Sequence, residues 1–220
     1  MFTGIIEAVG KLAKVEAREG DLRLTVDSGT LDLSDVQLGD SIATNGVCLT
    51  VVELTGKGYV ADVSLETLDY ATLGSLPVGA PLNLEKALTP TTRLGGHLVS
   101  GHVDGKGTVV SLEPSGRSTV YWLEAPKSLA RYIAHKGSIT IDGVSLTVNK
   151  VEGCRFALNI VPHTQQETII ENYSAGTVVN LEVDVLARYL ERLMDPSLKD
   201  DTIKESTLTA GFLAEHGFMK

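Results

Sequence analysis

Two stretches of the chain set a nucleophile-type side chain at the same point of the same pattern. Asn45-Gly46-Val47-Cys48-Leu49-Thr50-Val51 carries a thiol where Asp142-Gly143-Val144-Ser145-Leu146-Thr147-Val148 carries a hydroxyl. Thiols and hydroxyls become nucleophiles when a base stands beside them. Imidazole is the side chain that exchanges protons most readily near neutrality, and His102 is the histidine whose surroundings repeat those of an earlier segment, with Ile5 in its place. Each residue also has a plainer use. A cysteine on an alternating strand serves as an apolar filler, a serine bonds neighbouring backbone, and a lone histidine is often a satisfied core residue. Residue type alone leaves both readings open.

The pairing comes from an internal repeat. A single offset of 97 residues carries Ser41-Ile42-Ala43-Thr44 onto Ser138-Ile139-Thr140-Ile141 and Asn83-Leu84-Glu85 onto Asn180-Leu181-Glu182. The same offset carries Thr3-Gly4 onto Ser100-Gly101, Thr67 onto Thr164 and Gly79 onto Gly176. Chance matches would scatter over several offsets, so the chain is a duplication. No residues match between about 17–38 and 114–135, and different loops are expected there. The informative mismatches are Ile5 with His102, Cys48 with Ser145, Asn45 with Asp142 and Glu66 with His163.

The elements that must position these residues are mostly strands. Alternation marks Leu22–Val26, Ser41–Thr44, Val47–Val52, Tyr59–Val63 and Leu82–Glu85. Asn45-Gly46 and Asp142-Gly143 sit between alternating runs, where a tight hairpin needs residues that tolerate positive φ. Short antiparallel strands with little helix predict a small closed barrel in each half. Proline in a first turn predicts a short helix over Pro126–Ile133. The join falls near Thr91–His97, with Gly95-Gly96 as a hinge. Leu186, Tyr189, Leu190 and Leu193 then change the period to that of a helix, from about Val185 to before Pro196. A second helical stretch is expected at about 200–214. Both are predicted to bury their apolar faces against other subunits.

Composition narrows the partners. The 220 residues are 43% hydrophobic and 21% charged, an ordinary globular balance. A net charge of −9 with no basic stripe argues against nucleic acid and anionic membranes. Met1–Glu7 lacks a secretory pattern, and no apolar run approaches the roughly 18–20 residues of a membrane span. Cys48 and Cys154 have neither metal-site nor disulfide-framework spacing, so no metal is expected and a cytoplasmic setting fits.

Four motifs resemble one family. Met1-Phe2-Thr3-Gly4-Ile5, Gly95-Gly96-His97-Leu98-Val99-Ser100-Gly101-His102 and the two paired segments around Cys48 and Ser145 are similar in order and spacing to those of riboflavin synthases. The resemblance covers about 1–195 and is loose beyond Pro196. It implies a mainly β fold of two tandem six-stranded antiparallel Greek-key barrels followed by a C-terminal helical segment. The implied boundaries are 1–97, 98–194 and a helical oligomerisation tail, 195–220. It implies four-carbon transfer between two molecules of 6,7-dimethyl-8-ribityllumazine, giving riboflavin and 5-amino-6-(ribitylamino)uracil without cofactor or metal. It further implies a homotrimer, with the N-terminal barrel of one subunit facing the C-terminal barrel of another, and association with lumazine synthase. A second reading is a non-catalytic relative that holds a lumazine or flavin as an optical antenna.

Site residues follow from the same resemblance. Gly4, Ile5 and Ile6, with Cys48, Leu49 and Thr50, and Asp62, Val63, Ser64, Leu65, Glu66 and Thr67, are expected to line the site of the first barrel. Gly101, His102 and Val103, with Ser145, Leu146 and Thr147, and Asn159, Ile160, Val161, Pro162, His163, Thr164 and Gln165, are expected to line that of the second. Phe2 is expected to stack on a ring, and His97 and Lys136 to bind or shape. For catalysis the expectations are His102 as general base or acid with Thr147 nearby, and Cys48 and Ser41 as nucleophile or its positioner. Ser145 is the second-barrel counterpart, and Asp184 a charge partner.

Overall fold

The structure of the chain, a computed structural model, describes residues 1–195, 197 and 215–217. The chain divides into two compact units at Val185. The first holds twelve strands in two closed barrels. Strands β1 (Ala8–Arg18), β2 (Asp21–Asp27), β3 (Ser41–Thr44), β4 (Val47–Leu54), β5 (Gly58–Val63) and β6 (Pro81–Lys86) close in the order β1-β2-β5-β4-β3-β6. Strands β7 (Gly105–Ser115), β8 (Ser118–Glu124), β9 (Ser138–Ile141), β10 (Val144–Glu152), β11 (Arg155–Ile160) and β12 (Val178–Val183) repeat that antiparallel circuit. A one-turn helix follows β5 and another follows β11, α1 (Leu65–Tyr70) and α2 (Pro162–Gln166).

Alternation explains the strands. In β4, Val47, Leu49 and Val51 are buried in the barrel while Thr50 is exposed and Cys48 half-buried. A fully buried Leu or Val contributes about 1.5–3 kcal/mol, so one slip of register would turn this whole set outward. Two bulges lock the register. The pairing shifts between Leu12 and Lys14 and between Val51 and Glu53, and again at the repeat-equivalent Val109/Ser111 and Val148/Lys150.

The duplication therefore extends through the middle of each half. The expectation of different loops at 17–38 and 114–135 fails over β2 and β8, which occupy equivalent places there, and holds after them, where only the second repeat has a 3₁₀ turn, Ala130–Tyr132. The outer faces of β2 and β8 share no residue identities because barrel closure needs only alternation. The expected helix over Pro126–Ile133 is likewise reduced to a 3₁₀ turn at Ala130–Tyr132. Leu129 and Ile133 are both buried and pin the segment into i→i+3 bonding, too short to nucleate an α-helix.

The two barrels are riveted through their hairpin turns. Asn45 and Gly46 (φ +48° and +79°) and Asp142 and Gly143 (φ +44° and +84°) form the predicted tight turns, and the two face each other. A Cβ on Gly46 would lie 2.7 Å from the backbone nitrogen of Gly143, so only glycine allows this approach. Asn83 on β6 donates from Nδ2 to the Asp142 carbonyl at 3.0 Å, and Asn180 on β12 donates to the Asn45 carbonyl at 2.8 Å. Their Oδ1 atoms accept from the Ile169 and Thr72 backbone N–H groups of the opposite repeat. All four buried amide functions are thus satisfied across the interface.

Helix α3 (Val185–Met194), as the periodicity predicted, starts on the last residue of the first unit and continues in the second, and none of its residues is buried. The expected stretch at 200–214 lies outside the described residues. Among the described residues no helix is long and apolar enough to cross a membrane.

Candidate active site

The cleft beside Cys48 is built from both repeats, and the loops that cross between the barrels are equivalent in the two. The segment after Thr3 reaches across to the second barrel before β1 returns to the first. Gly4 O accepts from Ser145 N on β10 at 2.7 Å, while Gly101 O accepts from Cys48 N on β4 at 2.8 Å. Ile6 packs against the core of the second barrel and Val103 against that of the first. The expected grouping of Gly4–Ile6 with Cys48–Thr50, and of Gly101–Val103 with Ser145–Thr147, is therefore corrected to the crossed one. The repeat offset matches segments within a barrel but carries no information about which barrel a loop crosses to.

Buried carboxylates hold these crossing loops. Glu85 accepts from Thr3 N at 2.7 Å, Thr3 Oγ1 at 2.8 Å and Gly4 N at 3.0 Å. Glu182 does the same with Ser100 N, Ser100 Oγ and Gly101 N at 2.6, 2.7 and 3.0 Å. Burial raises both carboxyl pKa values, against the lowering effect of these bonds. Gly4 and Gly101 have φ of +76° and +81°, and a Cβ on either would sit 2.6–2.7 Å from the Cβ of Ser145 or Cys48. Glu85, Glu182, Asn83 and Asn180 were not among the expected functional residues. Their signal was present, as polar residues repeated within an otherwise apolar strand.

The cleft of the first barrel, about 240 Å³, is lined by Cys48, Glu66, Thr67, Tyr70, Gly101, His102 and Val103. It brings the thiol and His102 together, which the expected grouping of His102 with Ser145–Thr147 did not. His102 is exposed, with its backbone N–H donating to Ser100 Oγ. Ser64 caps α1 by accepting from Thr67 N, which sets Leu65–Thr67 at the cleft wall. Leu49, Val63 and Ile160 are buried in barrel cores, so only their backbone can meet a ligand. Asp62 forms a bidentate pair with Arg23 at 2.6 and 2.7 Å, which lowers its pKa and points it along the sheet surface.

The equivalent region of the second barrel carries Ser145, with Oγ 2.7 Å from His97 Nδ1. Leu146 packs half-buried on the core, and Thr147 and Thr50 are exposed. Asn159, Val161 and His163 are exposed, and Pro162 opens α2. Thr164 O accepts from Thr168, and Gln165 bridges Tyr121 and the Ile160 carbonyl. Asp184 is half-buried and its charge reaches His97. Ser41 stands opposite Thr50 on β3 and does not line the His102 cleft, nor does Thr147.

Two expectations fail. Phe2 is completely buried against Ala43 and Val99 and pairs with Val99 in an isolated β-bridge, so its ring offers no face to a ligand. Gly95-Gly96 is not a hinge. A Cβ on Gly96 would lie 2.1 Å from the Thr3 carbonyl oxygen and 2.8 Å from Ser145 Oγ, which makes it a close-packing glycine.

Lys136 is exposed with φ +65°, where the first repeat has Gly39 at φ +95°. Lys136→Gly should therefore raise unfolding stability by about 0.5–1 kcal/mol. Denaturant titration checks this, and an unchanged midpoint would show that no strain is stored there.

Comparison with known proteins follows the same division. A lumazine-binding domain model matches residues 3–87 and again 100–184, so the fold and its clefts define a protein of paired lumazine-binding barrels. A riboflavin synthase of Photobacterium phosphoreum is 51% identical over 219 residues, covering 100% of both chains. That of Actinobacillus pleuropneumoniae is 44% identical over 99% of this chain and 100% of the relative, and that of Mycobacterium tuberculosis (strain H37Rv) 47% over 88% and 98%. The chain belongs to the riboflavin synthase family. In fold it is similar to LumP complexed with 6,7-dimethyl-8-(1'-D-ribityl) lumazine, with a TM-score of 0.74 and 24% identity over 84% of this chain and 99% of that one.

Proposed function

We infer that this chain is a riboflavin synthase, a transferase that moves a four-carbon unit between two molecules of 6,7-dimethyl-8-ribityllumazine. The products are riboflavin and 5-amino-6-(ribitylamino)uracil. The observation that carries the reading is the pair of like barrels, each capped at its Cys48 or Ser145 strand by a loop of the other repeat, in a chain matched along its full length by riboflavin synthases. Two copies of one substrate call for two similar receptors. Holding two reactants in register is worth on the order of 7–11 kcal/mol of barrier.

In the first site we place Cys48–Thr50, Asp62–Thr67 and Gly101–Val103. In the second we place Ser145–Thr147, Asn159–Gln165 and Gly4–Ile6, with Lys136 at a rim. His102 removes or returns the proton of the acidic C7 methyl group. Cys48 and Ser41 add to, or position water against, the other ring, with Ser145 as their second-site counterpart and Asp184 as a charge partner. Because His102 and Thr147 do not share a cleft within one chain, their cooperation requires the first barrel of one subunit to face the second barrel of another.

The apolar row Leu186, Tyr189, Leu190 and Leu193 on α3 supports a homotrimer held by the 195–220 tail, with barrels in 1–97 and 98–194. Two free cysteines fit a reducing, cytoplasmic setting, where lumazine synthase would be a natural neighbour.

Incubation with the lumazine should yield riboflavin in half-molar amount, followed by its absorbance. Bound but unconverted lumazine would instead establish the antenna reading.

A further inference from the structure

Three positions of the second barrel carry polar side chains where the first has only leucine. Tyr121, Gln165 and Tyr173 stand at the places of Leu24, Leu68 and Leu76, and those leucines pack in the core of the first barrel. In the second, Tyr121 Oη donates to Gln165 Oε1 at 3.2 Å, and Gln165 Nε2 donates to the Ile160 carbonyl at 3.1 Å. The directions are fixed, because a backbone carbonyl only accepts and must meet the amide nitrogen. Gln165 then turns its oxygen to the phenol, which has to donate. Burial raises the Tyr121 pKa, so the phenol keeps that proton. The Tyr173 ring meets Tyr121 edge to face at 6.5 Å and is itself bonded through its hydroxyl to Asp142, which steadies the Tyr121 ring as well.

This arrangement stands in for a missing helix cap. Helices α1 and α2 begin from the same backbone, Ser64 at φ −70° and ψ 157° and Val161 at φ −76° and ψ 156°. Leu68 N and Gln165 N donate alike to the Ser64 and Val161 carbonyls, at 3.1 and 3.2 Å. Ser64 also accepts from Thr67 N, whereas Val161 has no side-chain oxygen and leaves α2 without a side-chain cap. A helix of one turn is too short to hold itself. The fastening that a cap gives to α1 is supplied to α2 from the other end of the turn, by Gln165 and Tyr121.

We propose that Tyr121 is a positioning residue for the second ligand site, acting through Gln165 to hold α2 and so keep His163 and Thr164 at the ligand. This rests on the placement of Asn159–Gln165 in that site. Glu66 and Thr67, at the matching points of α1, line the cleft of the first barrel. One backbone is thus secured in two ways, in the first barrel by a cap and an apolar anchor, in the second by a hydrogen-bonded chain from the barrel interior.

Tyr121→Phe removes a hydroxyl and little packing. In the full chain, the amides of Gln165 and Glu167, which donate to the Val161 and His163 carbonyls, should then exchange with deuterium about tenfold faster, as for one lost hydrogen bond. Those of β8 and β11 should be unchanged. KM for 6,7-dimethyl-8-ribityllumazine should rise about fivefold, with kcat within about twofold. Adding Val161→Ser supplies the cap that α2 lacks and should return both readings to within about threefold of the unaltered protein. Unchanged exchange in α2, or no rescue by Val161→Ser, would overturn the fastening. Faster exchange with an unchanged KM would overturn its role at the ligand. Thr164→Ala separates that result from an error in the site, since an unchanged KM there as well would mean that α2 does not meet the ligand. Should Tyr121→Phe fail to fold, Gln165→Leu installs the residue of the first repeat and should give the same two changes.

Discussion

His102→Gln should form riboflavin about 10²–10⁴-fold more slowly, the range lost when a general acid–base group is removed. Glutamine keeps a polar side chain of similar reach but cannot take up a proton near neutrality. The loop itself should be unaffected. It is held by Ser100 and Gly101 through Glu182, and by the Gly101 carbonyl through Cys48 N, none of which involves the imidazole. The expected signature is a fall in kcat with KM within a few-fold, read by single-turnover riboflavin formation. Retention of more than about a tenth of the rate would remove His102 from the proton step.

Asp142→Asn should stabilise the chain at alkaline pH. The Asp142 carboxyl is fully buried at the junction of the barrels, and burial pushes its pKa up to about 7, against the bonds donated by Tyr173 OH and Asn180 N. The unfolded chain ionises this group near the ordinary aspartate value of about 3.9. Between those values the folded state binds the extra proton, so stability falls as pH rises from about 4 to 7 and stays low above it. The folded protein carries a penalty on the order of 4 kcal/mol at pH 8 from this group. Asn45 shows that the amide fits, since its Oδ1 accepts from Asn83 N at 2.7 Å as Asp142 Oδ1 does from Asn180 N at 2.7 Å. Tyr173 can reverse its role and accept from the new amide. Denaturant midpoints at fixed protein concentration should nearly coincide at pH 4 and separate in favour of the variant at pH 8. Parallel pH curves would disprove the buried ionisation.

How far the sequence was legible depends on how local each feature is. Val47, Leu49 and Val51 announce their strand through a period of two, and Asn45-Gly46 announces its turn through positive φ. Leu186 to Leu193 announce α3 through a period near 3.6. The segment around β2 and β8 was misread because equivalence of backbone there leaves no identical residues. Pro126–Ile133 was misread because tertiary burial of Leu129 and Ile133 overrode a weak helical preference. Phe2 was misread because an aromatic at a motif position looks the same whether it meets a ligand or staples two repeats.

Periodicity, turn residues and one constant offset, all properties of neighbouring residues or of copied ones, were enough by themselves to determine two like barrels, a terminal helix, the family resemblance and the segments that bear the chemistry. Only the tertiary structure decided that Gly4 closes on Ser145 and Gly101 on Cys48, that Glu85 and Glu182 clamp those loops, and that His97 stands behind Ser145. Those contacts join residues 48 to 141 positions apart in the chain. Which barrel a loop crosses to is settled by the packing of Ile6 and Val103 on opposite cores and by burial of the bonded carboxylates, and no local pattern of residues encodes either.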